Sequence, residues 1–200
     1  VRPRATPYGP NVIRIEPMLH EVVVVGGSLA GLRAVETLRT GGFGGAITVI
    51  GAEHHLPYDR PPLSKRLLSG EWEPERIALR KPDDMGSLDA EWRTGVAAVG
   101  LDTDARRVEL ADGSSIVYDG LIMATGAVAR QLPDQHDHDH VLVLRTLDDA
   151  LTLRDRITGG GRRVVVIGAG FIGLEVAATA HQLGNEVTVL EAAPAPLIRA

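Results

Sequence analysis

The 200-residue sequence predicts an α/β protein made of two βαβ units with a β-meander between them. One order of features occurs twice, at residues 21–53 and 163–191: an apolar run, a glycine cluster, a helical stretch, a second apolar run and a glutamate. Continuous Val/Ile runs are typical of parallel strands that are buried on both faces. Each copy has the length of one βαβ unit, about 30 residues, so we interpret the repeat as two copies of one unit rather than as a solenoid.

The composition excludes several classes of function. Lys and Arg number 21 against 26 Asp and Glu, a formal net charge of −5, which offers nucleic acid no general electrostatic attraction. No apolar run reaches the roughly 18 residues of a membrane span, and residues 1–20 lack the apolar core of a signal peptide. We therefore expect a cytoplasmic protein with neither a membrane nor nucleic acid as partner. The absence of cysteine excludes disulfides, thiolate nucleophiles and cysteine-ligated metal within the chain.

The region between the two copies has a different composition. Residues 54–92 are rich in proline and charge and predict irregular chain with a short helix near 64–68. Residues 126–162 predict a linker that contains a helix at 147–157, and residues 1–19 predict a flexible extension. Between these lies a predicted meander of four short strands, at residues 96–101, 106–110, 115–118 and 121–124.

The second copy carries a dinucleotide-binding fingerprint, Gly168-Ala-Gly170-Phe-Ile172-Gly173, between a predicted strand and a predicted helix. The first glycine permits the tight turn, the second lets the backbone approach a pyrophosphate, and the third lets helix and strand pack closely. The pyrophosphate would lie at the helix N-terminus. Glu191, 23 residues after the first glycine, can accept hydrogen bonds from both ribose hydroxyls and would repel a 2′-phosphate, which favours NAD over NADP. The residues predicted to bind the nucleotide are Gly168, Gly170, Ile172, Gly173 and Glu191.

The first copy departs from this pattern at one position. It reads Gly26-Gly-Ser28-Leu-Ala-Gly31, with Ser28 in place of the glycine that approaches the phosphate. The Cβ narrows the gap to a phosphate, although the hydroxyl can itself donate a hydrogen bond to a phosphate oxygen. Glu53 occupies the ribose position. We predict a second dinucleotide site formed by these residues.

The chain between the two copies resembles a known family. The string LPYDRPPLSK at 56–65 strongly resembles the FAD-dependent NADH:ferredoxin (rubredoxin, putidaredoxin) reductases, and apoptosis-inducing factor is similar in the same segment. The strand end IMATG at 122–126 and the residues LE at 174–175 complete the order of motifs. The resemblance covers residues 20–200 and implies a Rossmann-like FAD/NAD(P)-binding fold.

The resemblance also implies roles for individual residues. The first fingerprint would bind FAD and the second NAD(H). Arg60 and Lys65 would lie beside the isoalloxazine, with Lys65 near the flavin N5 and paired with Glu175. Lys65 and Glu175 are thus the predicted catalytic residues, because a cation beside the ring stabilises the negative charge of reduced flavin. The segment expected against the flavin nucleotide consists of Ala124, Thr125 and Gly126.

The implied activity is that of an FAD-dependent NADH:ferredoxin reductase. Hydride would pass from NADH to FAD, and single electrons would then pass to a ferredoxin-type [2Fe–2S] protein or a rubredoxin. The redox-active cysteine pair of the related disulfide reductases is absent, so the electron acceptor must be external. The resemblance assigns residues 20–145 to an FAD-binding domain and residues 146–200 to the start of an NAD-binding domain.

Two alternatives remain open. Chains of the resembling family are about twice as long, and this one ends nine residues after Glu191, so a truncated, non-catalytic dinucleotide-binding module is one alternative. The other is an NADH oxidase-like flavoprotein similar to apoptosis-inducing factor. The tract HDHDH at 136–140 contains metal-ligating residue types, but we expect a solvated loop there and no metal site.

Overall fold

The structure is a computed structural model and describes residues 19–133 and 138–198. Its α-helices are α1 (Leu29–Thr40), α2 (Pro82–Met85), α3 (Leu147–Ile157) and α4 (Phe171–Gln182). Its strands are β1 (Glu21–Val25), β2 (Ala46–Gly51), β3 (Glu91–Thr94), β4 (Ala98–Asp102), β5 (Arg107–Leu110), β6 (Ser115–Val117), β7 (Gly120–Met123), β8 (Arg163–Ile167) and β9 (Glu186–Leu190). The predicted fold class, two βαβ units with a meander between them, is confirmed.

The first unit is built on a four-stranded parallel sheet in the order β3-β2-β1-β7. Val24 and Val49 pack on one face with Leu32 of α1. Val23 and Ile50 pack on the other face, against the meander. The apolar runs of β1 and β2 are therefore buried on both faces, as their composition predicts.

The meander contains three strands instead of the four predicted. Strands β4, β5 and β6 form an antiparallel sheet, whereas the fourth predicted strand, at 121–124, is β7 and pairs with β1 in the parallel sheet. The reason is that neighbouring side chains of β7 have apolar partners on both faces: Leu121 packs towards the meander and Ile122 towards the α1 side. Strand β3 was not predicted, since this edge strand is polar apart from Trp92 and lacks the apolar pattern of the others.

The segment 54–92 is more ordered than predicted, but the helix expected near 64–68 is wrong. A 3-10 helix, Pro61–Ser64, precedes hydrogen-bonded turns. The backbone carbonyl of Pro62 accepts hydrogen bonds from the amides of both Lys65 (3.0 Å) and Leu67 (3.1 Å), so the chain turns tightly instead of continuing as an α-helix. The rest of the segment contains α2 and two further 3-10 helices, Pro74–Ile77 and Gly86–Leu88.

The second unit consists of β8, α4 and β9, and its two strands are parallel. Val176 and Ala180 of α4 pack against Leu68 and against Ile157 of α3, which joins the two units. On the other face of this sheet Val165 and Ile167 are exposed. Helix α3 has the predicted bounds and begins at a capping box formed by Thr146 and Asp149.

Some predictions fall wholly or partly outside the described residues. The expected flexible extension lies there except for Leu19, as do two residues of the tract at 136–140. Within the described ranges no group of three or more His, Asp or Glu side chains could hold a metal ion. No helix in these ranges is long and apolar enough to cross a membrane.

Candidate functional site

The first glycine loop connects β1 to α1 and packs closely against its neighbours. The amide of Gly26 donates to the carbonyl of Ile50 at 2.8 Å. A Cβ on Gly26, whose φ is +122°, would lie 2.0 Å from the carbonyl oxygen of Ala124. A Cβ on Gly31 would lie 2.0 Å from the carbonyl oxygen of Gly26. Both positions require glycine for the loop itself to close.

Ser28 is the N-cap residue of α1, yet its side chain makes no capping hydrogen bond. Its φ of −113° is an ordinary extended conformation, so the departure from glycine costs no backbone strain. The first turn of an α-helix leaves amide groups without intrahelical partners, and the first turn of α1 carries no acidic side chain. This helix end can therefore receive an anion.

A cavity of about 470 Å³ opens beside this loop. It lies at the carboxyl ends of β1, β2 and β7, where ligands bind in open parallel sheets. Lys65 and Gly31 do not line it, and Gly31 is instead buried where α1 packs on the loop. The predicted residues that the cavity brings together are Gly26, Ser28, Glu53, Arg60, Ala124, Thr125 and Gly126.

A hydrogen-bond network holds the carboxylate of Glu53 at the edge of this cavity. Glu53 Oε1 accepts from Arg60 Nη2 at 2.6 Å, and Oε2 accepts from the hydroxyl of Tyr58. The Tyr58 hydroxyl also accepts from the amide of Leu147 at 2.9 Å, and Arg60 Nη1 donates to the carbonyl of Arg145 at 2.5 Å. Burial, and then the hydrogen bond to Glu53, raise the pKa of Tyr58 well above its ordinary value. The network ties the first unit to the start of α3.

Sequence reasoning missed three residues of this site. Tyr58 lies within the family-like string, two residues before Arg60, and that position is the only sequence signal for it. His55 lines the cavity, and its Nε2 lies 2.8 Å from Asp148 Oδ1. Arg145 also lines it, and its Nε donates to the carbonyl of Ala127 at 2.9 Å. Arg145 and His55 carry no local signal, because their roles depend on contacts between distant segments.

Lys65 and Glu175 meet between the two units. Lys65 Nζ lies 2.7 Å from Glu175 Oε2, and the hydroxyl of Ser64 donates to the same oxygen at 2.5 Å. The hydrogen bonds from Lys65 and then from Ser64 hold the pKa of Glu175 below its ordinary value. The contact therefore joins the turn after the 3-10 helix to helix α4.

The second glycine loop has the same geometry as the first, but it contains Gly170 where the first contains Ser28. The amide of Gly168 donates to the carbonyl of Leu190 at 2.8 Å, and a Cβ on Gly173 would lie 2.0 Å from the carbonyl oxygen of Gly168. A Cβ on Gly170, whose φ is −79°, would meet nothing within 4 Å. Gly170 caps α4 without a side-chain hydrogen bond. Neither packing nor backbone conformation thus requires glycine at position 170.

A second cavity, of about 720 Å³, lies along β8 and beside this loop. Gly168, Ile172 and Gly173 line it, whereas Gly170 and Glu191 do not. The carboxylate of Glu191 is held at the end of β9 by backbone amides: Oε2 accepts from Ala169 and Oε1 from Ala193, each at 2.7 Å. The structure thus places Glu191 directly against the glycine loop.

Comparison with known proteins agrees with this architecture. The chain is 41% identical over 184 residues to the benzene 1,2-dioxygenase system ferredoxin–NAD(+) reductase subunit of Pseudomonas putida, a match that covers 91% of this chain and 44% of that protein. It is 44% identical over 180 residues to rhodocoxin reductase of Rhodococcus erythropolis, covering 90% of this chain and 42% of the relative. The chain therefore spans less than half the length of these relatives.

A solved structure and a family model also match this chain. A chain of a covalent putidaredoxin reductase–putidaredoxin complex superposes with a TM-score of 0.85 at 37% identity, covering 90% of this chain and 44% of that one. The family model for pyridine nucleotide-disulphide oxidoreductases matches residues 20–200. The chain belongs to the pyridine nucleotide-disulphide oxidoreductase family.

Proposed function

We propose that this chain is the nucleotide-binding part of an FAD-dependent NADH:ferredoxin reductase. The observation that carries the proposal is the pair of glycine loops with matching geometry, each of which opens on a helix N-terminus without a side-chain cap. The side chains of Lys65 and Glu175 join the two units. Relatives that are 41% and 44% identical over nine-tenths of this chain are named as reductases, one of ferredoxin and one of rhodocoxin.

The first unit fits FAD. Its cavity adjoins the open N-terminus of α1, where the free amide groups and the helix dipole favour a pyrophosphate. Ser28 would donate its hydroxyl to a phosphate oxygen, and Glu53 would accept from a ribose hydroxyl. Arg60 holds Glu53 in position through a 2.6 Å hydrogen bond. The backbone of Ala124, Thr125 and Gly126 would form the opposite wall.

The second unit fits NAD(H). Gly170 has no packing reason to be glycine, so the requirement that remains is the close approach of a ligand to the backbone. Ile172, which is exposed beside the loop, would contact the nucleotide. Glu191 is oriented by two backbone amides, and its negative charge would accept from ribose hydroxyls and disfavour a 2′-phosphate.

Lys65 and Glu175 would act beside the reacting rings. When bound, FAD accepts a hydride from NADH and releases its electrons singly. Lys65 would supply the positive charge that stabilises reduced flavin, and Glu175 orients that ammonium group through a 2.7 Å contact. Since α4 begins at the second glycine loop and carries Glu175, the same helix would bind NADH and orient Lys65.

The acceptor, the domain limits and the location are parts of the same proposal. The chain contains no cysteine to receive electrons, which supports an external acceptor, a ferredoxin-type [2Fe–2S] protein or a rubredoxin. We assign residues 20–145 to FAD binding and residues 146–200 to NAD binding, since α3 begins at the capping residue Thr146. A cytoplasmic location, where an NADH pool is available, accompanies this assignment.

The visible absorption spectrum of the purified chain with added FAD tests the proposal. We expect the bands of bound flavin, their bleaching by anaerobic NADH, and their recovery on addition of oxidised [2Fe–2S] ferredoxin. Gly170→Glu should abolish bleaching by NADH without loss of bound flavin. Gly44→Glu is the matched control, because a Cβ on Gly44 also meets nothing within 4 Å. A folded chain that ignores FAD would contradict the proposal, and rapid oxygen consumption without ferredoxin would favour an NADH oxidase.

A further inference from the structure

Two buried hydroxyl groups lie where the 3-10 helix Pro61–Ser64 and the turn that follows it, residues 65–70, contact helix α4. Ser64 is 4% exposed and Thr179 is 6% exposed. The hydroxyl of Ser64 donates to Glu175 Oε2 at 2.5 Å, and the hydroxyl of Thr179 donates to the backbone carbonyl of Ser64 at 2.9 Å. Glu175 and Thr179 are four residues apart and so lie on one side of α4. Ser64 is thus hydrogen-bonded to helix α4 through both its side-chain hydroxyl and its backbone carbonyl.

An apolar core cluster lies between the same two segments. Leu68 of the turn packs against Val176 and Ala180 of α4 in one core cluster. A polar group buried among such side chains costs free energy unless it is hydrogen-bonded, and alanine or valine would pack there without that requirement. Packing alone therefore gives no reason for Ser64 and Thr179, whereas their directed hydrogen bonds fix one relative position of turn and helix.

The ion pair needs such support. The side chains of Lys65 and Glu175 are 46% and 34% exposed, and ion pairs at that exposure contribute only about 0–1 kcal/mol and hold long side chains weakly. Ser64 supplies a charge-assisted hydrogen bond from a buried and preordered position, which is the stronger kind. Ser64 is the last residue of the 3-10 helix Pro61–Ser64, in which the rings of Pro61 and Pro62 restrict the backbone.

We propose that Ser64 and Thr179 are positioning residues that hold Glu175 against Lys65 and so keep the two nucleotide units in register. This inference rests on the proposed function, because it assigns a purpose to the position of Lys65. Glu175 lies in α4, five residues after the N-cap residue Gly170, so a displacement of the helix would move both the loop and the carboxylate. The two hydroxyls thus couple the second nucleotide site to the side chain that serves the first.

The first test measures the titration of the Glu175 carboxyl group in the chain without cofactor. The carboxyl carbon of Glu175 is titrated by NMR in the whole chain and assigned by its absence in Glu175→Gln. Lys65 is the charge that acts on this carboxyl. Ser64→Ala should move the titration upward, by less than Lys65→Met does because the hydrogen bond from Lys65 has the larger effect. Ser64→Thr keeps a hydroxyl and should restore the wild-type titration.

Matched controls separate position from general loss of a hydroxyl. Ser69→Ala removes a hydroxyl bonded to the carbonyl of Arg66 in the same turn, and Thr37→Val removes one bonded to its own helix. Both substitutions should leave the titration of the Glu175 carboxyl group unchanged. Thr179→Val should also move the titration upward. A folded Ser64→Ala chain with Glu175 titrating as in wild type would overturn the proposal. If Ser64→Ala does not fold, an unchanged titration in Thr179→Val overturns it.

A second measurement keeps this proposal distinct from the proposed function. In the FAD-loaded chain, Ser64→Ala should slow anaerobic flavin reduction by NADH at least about fivefold, an effect of about 1 kcal/mol, while FAD binding stays unchanged. Wild-type reduction rates in that variant would count against a positioning role. A chain that takes up no FAD would contradict the proposed function, and the carboxyl titration would still decide whether Ser64 positions Glu175.

Discussion

The two βαβ units form the same loop in different surroundings. In both, the third glycine of the fingerprint would place a Cβ 2.0 Å from the carbonyl of the first. In the first unit the carbonyl of Ala124 also lies against Gly26, and β1 has strands on both sides. In the second, a Cβ on Gly168 would meet nothing within 4 Å, and among the described strands β8 pairs with β9 alone. Loop geometry is thus a local property, whereas burial depends on neighbouring elements.

The largest difference is expected at the first glycine of each loop. Gly26→Ala should lower the free energy of unfolding by about 3 kcal/mol or more, since it combines a positive φ with a Cβ 2.0 Å from a carbonyl oxygen. Gly168→Ala has only the positive φ and should cost about 1–3 kcal/mol. Urea unfolding of both variants measures this. Equal losses would mean that the surroundings of the two loops do not matter.

Within the second loop, two glycines should separate folding from binding. Gly173→Ala should cost about 1–3 kcal/mol because its Cβ meets the carbonyl of Gly168. In Gly170→Ala the added Cβ would meet nothing within 4 Å. This substitution should therefore lower the free energy of unfolding by less than about 1 kcal/mol, the usual effect at an N-cap. Gly170→Ala should nevertheless weaken NADH binding at least about tenfold, a change of about 1.4 kcal/mol. Thermal unfolding together with NADH titration gives both quantities, and unaltered binding would refute a pyrophosphate at this loop.

The two ribose-position glutamates are held by different partners. Glu53→Gln should cost about 1–2 kcal/mol, since Glu53 accepts from the half-buried side chain of Arg60 and from the buried Tyr58. Glu191→Gln should cost less than about 1 kcal/mol, because this exposed carboxylate accepts from backbone amides that water can also reach. Denaturant unfolding at pH 7 compares them. The reverse order would show that the side-chain network around Glu53 is not stabilising.

The contact between the units should give a smaller, pH-dependent effect. Glu175→Gln should lower stability by up to about 1 kcal/mol at pH 7. The pKa of Glu175 is lowered in the folded state by Lys65 and Ser64, so the contribution is fully present above the ordinary value of 4.5 and is lost as pH falls below it. Stability curves from pH 7 to acid pH measure the difference. In a Lys65→Met background this pH dependence should shrink, and a difference that stays constant with pH would argue against the contact.

The smallest effect is expected where the two fingerprints differ. Ser28→Gly converts the first loop to the pattern of the second and removes a hydroxyl that makes no capping bond. Stability should fall by only a few tenths of a kcal/mol. A loss greater than about 1 kcal/mol would reveal a structural role for the hydroxyl. FAD titration of the same variant measures how much the hydroxyl adds to phosphate binding.

The local parts of the fold could be predicted from the sequence. Both glycine loops and the bounds of α3 depend on residues that are close in the chain: an apolar run, a turn and a cap. The fold class followed from the repeat, because parallel strands that are buried on both faces leave a continuous apolar signal. Lys65 and Glu175, 110 residues apart, were brought together by family resemblance and not by any local pattern.

Other parts depend on contacts that no local pattern encodes. The sequence predicts β7 as part of the meander because its neighbours in the chain belong there, yet its neighbours in space are the residues of β1. Edge strand β3 has no recognisable strand pattern, because its side chains apart from Trp92 are polar. Tyr58 and Arg145 enter the site through a network that spans two segments about 90 residues apart. The roles of the site residues remain predictions that the variants above test.

The pairing of β7 with β1 has a consequence for the speed of folding. Val22 lies opposite Gly120 in this parallel pair, so the first sheet closes only after a long loop has been brought together. Pairings between such distant segments form slowly, because the entropy of loop closure opposes them before any contact is gained. Strands β8 and β9 are separated only by α4. We expect the hydrogen bonds between β8 and β9 to form earlier than those between β1 and β7 in refolding followed by hydrogen exchange.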